Sequence, residues 1–272
     1  MKGLERLYGT APGRRLLRLL TRPALSRAAG RYLSTGWSRA HIGPFVRKNG
    51  IDLTLYGGAP YRSFNDFFTR PLLMGRRPFD LSPEALCSPC DSRLTAYALS
   101  EDAAFSVKGI LYTLPRLLRD DALAARFSGG TALVFRLCVD DYHRYCWFDG
   151  GIPELPVRID GVLHTVRPVA TERRPVFCEN SREYTVIRTK RFGTAVQMEV
   201  GAMMVGKITN HPVRGPVRRG EEKGYFEFGG STVIVLLRRG AAVLRQDILT
   251  ASTRGEETRV LQGERIGTTE EK

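Results

Sequence analysis

The chain reads as an α+β protein, a β-rich body preceded by an N-terminal basic helical segment. Three observations predict this class. Residues 1–50 hold eleven Lys or Arg and a single acid, Glu5, around short leucine-rich runs broken at Pro12 and Pro23. From about residue 85 the texture changes to short β-branched apolar runs separated by Gly, Pro and Asp turns, the spacing of strands. At 272 residues the chain is long enough for one large domain or a domain with an appendage, and it carries no internal repeat.

Each element follows from local chemistry. Leu16, Leu17, Leu19 and Leu20 stand beside Arg14, Arg15 and Arg18, the pattern of a short amphipathic helix lying among lipid headgroups. The plainer reading is a solvated basic face whose leucines pack on the body. Gly43-Pro44 helps end this helical region. Phe64-Asn65-Asp66-Phe67-Phe68 reads as a short helix, and Leu114 to Phe127 as a longer one. Strand-like runs cover 131–139, 184–189, 195–208, 232–237 and 241–244. The polar C-terminus is expected to fray. The division expected is a basic helical membrane-associating segment at 1–55 and a catalytic domain at 56–272.

Composition narrows the function classes. No run approaches the ~18 apolar residues of a transmembrane helix. The run Leu16–Leu20 is interrupted by Arg18 and has no long apolar region beside it, unlike a secretory signal. The formal charge of +14 suits nucleic acid or an anionic membrane surface. Aromatic residues for base stacking are sparse in the basic segment and no nucleic-acid motif occurs, so nucleic acid is not expected as a partner. Cys87, Cys90, Cys138, Cys146 and Cys178 are odd in number and irregularly spaced, which points to a reduced, cytosol-facing protein. Cys87-x-x-Cys90 lacks a second ligand pair, and no metal is expected.

Chemistry concentrates in three places. Gly229-Gly230-Ser231-Thr232 is, taken alone, a hairpin turn entering a strand. A serine after glycine also has a chemical option. Its hydroxyl can attack the preceding carbonyl, and elimination of the resulting ester leaves dehydroalanine, which hydrolyses to a pyruvoyl group. That sequence needs a base and oxyanion donors. Among four histidines, His143 lies beside Asp140, Asp141 and Arg144 at a strand end, either a structural turn histidine or an acid–base group. Asp91 follows a turn-like Ser-Pro-Cys and is either a turn aspartate or a carboxylate orienting an imidazole.

The order of segments carries more than any one of them. YRSFNDFFTRPL from Tyr61, SPCDSRL from Ser88, KGILYTLPRLL from Lys108, VDDYHRY from Val139, CENSREYTVI from Cys178, EVGAMMVGKI from Glu199, KGYFEFGGSTVI from Lys223 and GERIG from Gly263 occur in sequence. In these segments the chain resembles the phosphatidylserine decarboxylase family, over nearly its whole length and most weakly across residues 1–55. The resemblance implies a self-cleaving proenzyme, cut between Gly230 and Ser231 into a large chain 1–230 and a small chain 231–272. It implies that Ser231 becomes a covalent pyruvoyl cofactor, that Asp91 belongs to the charge relay for cleavage, and that His143 serves decarboxylation. The substrate implied is phosphatidylserine, converted to phosphatidylethanolamine and carbon dioxide through an imine.

Two departures stand out. Many members have Asp-Gly where this chain has Asp91-Ser92. The familiar His-Arg-x-His places its relay base where this chain has Cys146, and a neutral thiol is a poor substitute for imidazole. His164, in the next strand-like segment, is the expected replacement if an antiparallel partner sets it beside residues 143–146. The alternatives are an outward-facing His164, or His143 serving both steps. The partners expected are a phospholipid, an anionic membrane surface met peripherally from the cytoplasmic side, and the two chains of one precursor, with room left for a homo-oligomer. A non-catalytic lipid-binding relative and a pyruvoyl decarboxylase of another amino-acid headgroup remain as alternatives.

Overall fold

The computed structural model describes residues 2–203, 207–228 and 231–270. The basic segment folds into helices α1 (Lys2–Gly9), α2 (Ala11–Leu20), α3 (Pro23–Leu33) and α4 (Ile42–Asn49), followed by α5 (Phe64–Phe68). Pro12 and Pro23 fall in the first turns of α2 and α3, where a missing N–H has no intrahelical partner to lose. Thr10 caps α2, its hydroxyl accepting from the Gly13 N–H, and Ser63 caps α5 by accepting from Asp66. The leucines of α2 divide between the two readings. Leu17 is buried in the core, while Leu16 and Leu19 are about half exposed.

The body contains strands β1 (Ala85–Cys87), β2 (Ser92–Ala98), β3 (Ala104–Val107), β4 (Ile110–Thr113), β5 (Thr131–Leu137), β6 (Arg144–Cys146), β7 (Gly151–Pro153), β8 (Val157–Ile159), β9 (Arg182–Thr189), β10 (Thr194–Val200), β11 (Ile208–Asn210), β12 (Glu222–Phe226), β13 (Ser231–Leu237), β14 (Val243–Leu244), β15 (Thr258–Val260) and β16 (Arg265–Thr268). Short helices α6 (Leu114–Leu118), α7 (Asp121–Ala125), α8 (Pro168–Thr171), α9 (Val176–Glu179) and α10 (Gln246–Thr253) connect them. The main antiparallel sheet runs β15-β2-β5-β13-β10-β9-β7, with β8 also on β9. All seven residues of β13 are buried, as a central strand covered on both faces requires. Smaller sheets order as β11-β12-β6 and β1-β16-β14.

One local expectation differs from the structure. The helix expected over 114–127 is split, because Arg119 takes a left-handed φ of 53° and Asp120 then caps α7 by accepting from Leu123 N. β7 pairs with β9 through Gly151–Thr189.

Arg182 ties helices to sheet from inside. Its guanidinium is fully buried and donates to the carbonyls of Leu117, Arg116, Cys178 and Asn180. Those carbonyls sit at the C-terminal ends of α6 and α9, where intrahelical donors run out. Burial pulls this guanidinium's pKa down to about 10. A separate aromatic cluster, Phe64, Phe67 and Phe68 with Phe45 and Phe228, joins the N-terminal helices to the chain just before Gly229.

Candidate active site

Ser231 opens β13 and faces Leu137 of β5. On its other side Thr232 pairs with Val200, so the next position along β10 is Gly201, whose N–H donates to Ser181. Ser181, Gly201, Ser231 and Leu137 therefore form one row across the sheet, all on one face. Ser231 is wholly buried, and its Oγ has no hydrogen-bond partner among the described residues. A buried hydroxyl in that state carries a desolvation cost, and it shares that state with the neighbouring Thr232 Oγ1. Gly229 and Gly230, the other half of the expected cleavage site, lie outside the described residues.

His143 enters from the turn that leads into β6. It is fully buried, with its ring 4.2 Å from that of Phe68. Its Nδ1 lies 2.9 Å from the Asp141 carbonyl. A carbonyl only accepts, so in this contact Nδ1 carries the proton. The turn is closed by Asp141, whose Oδ2 accepts from Cys138 N at 2.7 Å. Burial first, and then nearby Asp140 and Asp91, push the Asp141 carboxyl up to about 6. The backbone carbonyl of His143 accepts from Phe226 N at 3.0 Å, which couples the histidine to the strand that runs toward Ser231.

Asp91 is buried at the start of β2 and is held by two groups. Arg77 Nε donates to both carboxylate oxygens at 3.0 and 3.2 Å, and Nη2 to Oδ2 at 2.6 Å. Gln262 N donates to Oδ1 at 2.8 Å. Ser92 begins a strand and has no positive φ, so its side chain brings no backbone strain.

Cys146 is buried, and its Sγ donates to the Pro89 carbonyl at 3.3 Å. Burial pushes its thiol far above the ordinary range, so no thiolate is available there. The pairing expected to bring His164 beside residues 143–146 does not form. β6 pairs with β12, and His164 lies in the loop between β8 and α8. Its Nδ1 accepts from the Tyr8 hydroxyl at 3.1 Å, and its Nε2 lies 3.3 Å from Glu179. Burial, followed by Arg174, pulls its pKa down to about 4, so it is neutral at pH 7 and hydrogen-bonds rather than ion-pairs. The structure thus gathers Ser231, His143 and Asp141 around one end of β5 and β13, sets Asp91 in electrostatic reach of Asp141, and places His164 as a latch on α1.

Several site residues were not singled out from the sequence. Arg77 and Gln262 grip Asp91, and Phe68, itself packed on Phe228, lies against His143. Phe68 stood inside the Tyr61 segment and Gln262 just before the Gly263 segment, but nothing local distinguished their roles. On the Ser231 face, Glu199 pairs with Lys223, Nζ to Oε2 2.5 Å, both almost wholly buried. Asn210 adds a donor at 3.0 Å, yet burial still pushes the Glu199 carboxyl upward.

Buried polar side chains therefore converge where β5 ends and β13 begins. Residues 64–268 match the family model described as phosphatidylserine decarboxylase. The chain is 43% identical over 267 residues to phosphatidylserine decarboxylase proenzyme 2 of Clostridium acetobutylicum, covering 98% of this chain and 91% of that protein. Against the phosphatidylserine decarboxylase proenzyme of Ruminiclostridium cellulolyticum the identity is 40%, covering 97% and 90%. Against that of Clostridium botulinum it is 39%, covering 98% and 92%. The chain belongs to the phosphatidylserine decarboxylase family, a family of carboxy-lyases.

Proposed function

We propose that this protein decarboxylates phosphatidylserine to phosphatidylethanolamine, using a pyruvoyl group made from its own Ser231 by cutting the Gly230–Ser231 bond. One observation carries the reading: a fully buried serine at the head of the central strand, its hydroxyl without a partner among the described residues. In the precursor, Ser231 Oγ attacks the Gly230 carbonyl carbon. A C–O bond replaces the C–N bond, and the hydroxyl proton passes to the freed amine with His143 Nε2 as carrier. Loss of the α-proton with cleavage of Cβ–Oγ leaves a carboxylate on Gly230 and dehydroalanine at 231. Water then releases ammonia and leaves the ketone.

The surroundings suit that group, because Leu137 and the Gly201 position flank residue 231 and a covering sheet excludes water. A pyruvoyl group supplies a ketone and an adjoining amide carbonyl that take up the electron pair left when carbon dioxide departs. His143 Nε2 holds the proton that replaces the lost carboxylate, and Phe68 keeps that imidazole away from bulk water. Asp91 acts at one remove, fixing the 260–264 segment against the body. His143 is the base of choice because it sits in the turn that follows β5 at the head of β13, whereas His164 lies in the loop between β8 and α8 and is held by Tyr8 of α1.

The chains would be 1–230 and 231–272. The small chain stays docked because β13 lies between β5 and β10, β15 pairs with β2, and β16 with β1. Residues 1–55 would attach the enzyme to the cytoplasmic face of an anionic membrane through Leu16 and Leu19, set among Arg15, Arg18 and Arg22. Among the described residues no helix is long and apolar enough to cross a membrane.

Intact mass spectrometry tests the reading. The 30.4 kDa chain should give two fragments, the smaller beginning at residue 231 with a blocked amino terminus. An uncut chain refutes the proposal. Cutting without consumption of phosphatidylserine in mixed micelles would move the substrate to another amino-acid headgroup.

A further inference from the structure

The row that carries Ser231 continues onto a cavity of 380 Å³ between β8, β9 and the start of β11. Gly201 and Ser181 lie on its floor, and its cationic rim is Arg27 of α3, Arg158 of β8 and Lys207 beside β11. Asp160 and Glu183 are its acids. Arg182 also borders it, but that guanidinium is committed to the four helix-end carbonyls. The remaining lining cations are Arg27, Arg158 and Lys207, with Asp160 and Glu183 beside them and Glu227 paired to Lys207.

We infer that this cavity binds the phosphodiester of the lipid headgroup while the serine amine reaches residue 231. The inference rests on the decarboxylase reading and adds to it the residues that recognise the lipid. Distance supports it. An amine bonded to the ketone carbon at 231 leaves the phosphorus, four bonds beyond the nitrogen, within about 6 Å of that carbon. Neighbouring strands are about 4.8 Å apart, so the phosphate falls over Gly201, the cavity floor.

The rim cations are free to exchange partners. Arg158 holds Asp160 at 3.2 Å in a largely exposed and therefore weak pair, and the exposed Lys207 reaches Glu227 only at 3.6 Å. Arg27 is exposed and has no ion-pair partner among the described residues. It stands on the helix that follows α2, whose outward leucines are proposed to meet the bilayer, so the mouth of the cavity adjoins the route by which a lipid arrives.

The test uses the full chain with the double variant Arg158→Ala/Lys207→Ala, assayed on phosphatidylserine in neutral detergent micelles to remove any effect of vesicle charge. Self-cleavage should run at the wild-type rate, because Ser231 and His143 are untouched. KM should rise at least roughly tenfold, with kcat within about twofold, and Arg158→Lys/Lys207→Arg should restore it. Glycerophosphoserine should lose affinity by a similar factor, whereas millimolar inorganic phosphate should inhibit the wild type competitively and the double variant much less. A cleaved double variant with wild-type KM overturns this assignment alone. A wild-type chain that never cuts overturns the decarboxylase reading instead. Equal inhibition of both proteins by phosphate would mean that the phosphate site lies elsewhere.

Discussion

Replacing Asp91 with asparagine separates its structural grip from any direct part in chemistry. The side chain is 5% exposed and its partner Arg77 14% exposed. The carboxylate accepts three bonds from Arg77 and one from Gln262 N. The amide keeps the shape but loses the charge, and one end of it presents donors to other donors. Breaking a buried ion pair from one side costs about 3–5 kcal/mol, and the slight hydration of Arg77 places the expected loss near about 3. For a chain of this length that corresponds to a fall in melting temperature of about 6–12 °C. After cleavage Asp91 belongs to the large chain and Gln262 to the small one, so the variant should also shed its small chain in moderate urea where the wild type does not. Asp91→Asn and Arg77→Ala should slow self-cleavage to similar extents, and the double variant should be no worse than either alone. Differential scanning fluorimetry, urea gels and a cleavage time course read these quantities. An unchanged melting temperature, or normal cutting in Arg77→Ala, would refute a positioning role.

Other outcomes follow from the same geometry. His143→Ala should lower decarboxylation about 10²–10⁴-fold, measured on protein that has been cleaved, and a smaller loss would remove it as the proton carrier. Cys146→His should not accelerate cleavage and should destabilise by about 1–3 kcal/mol, because an imidazole is larger than the thiol packed against Pro89; faster cutting on gels would contradict this. His164 has a folded pKa of about 4 against an ordinary 6.5, so between those values the unfolded chain binds a proton that the folded one refuses. Stability is then complete above roughly pH 6.5 and falls with pH toward about 4, by up to about 3 kcal/mol. Thermal melts at pH 7 and 4.5 should show a smaller acid loss in His164→Gln, and equal losses would exclude the latch. Leu16→Ser/Leu19→Ser should weaken sedimentation with anionic vesicles while leaving the melting temperature within a few degrees, since both side chains are half exposed.

The two levels of description divide along physical lines. The α+β class, the strand runs around 131–137, 184–189 and 232–237, and the helix at 64–68 were legible because periodicity and turn residues act locally. The serine, the aspartate and the histidine were legible as residue types in an ordered set of segments. Their partners were not. Arg77 reaches Asp91 across 14 residues and Gln262 across 171, and Tyr8 meets His164 across 156. Such contacts depend on how strands pair, and pairing is set by burial summed over the whole sheet rather than by any one segment. For the same reason His164 looked like a neighbour of Cys146 when chain order was the guide. β6 instead paired with β12, brought in from beyond residue 220, and left His164 to hold the first helix.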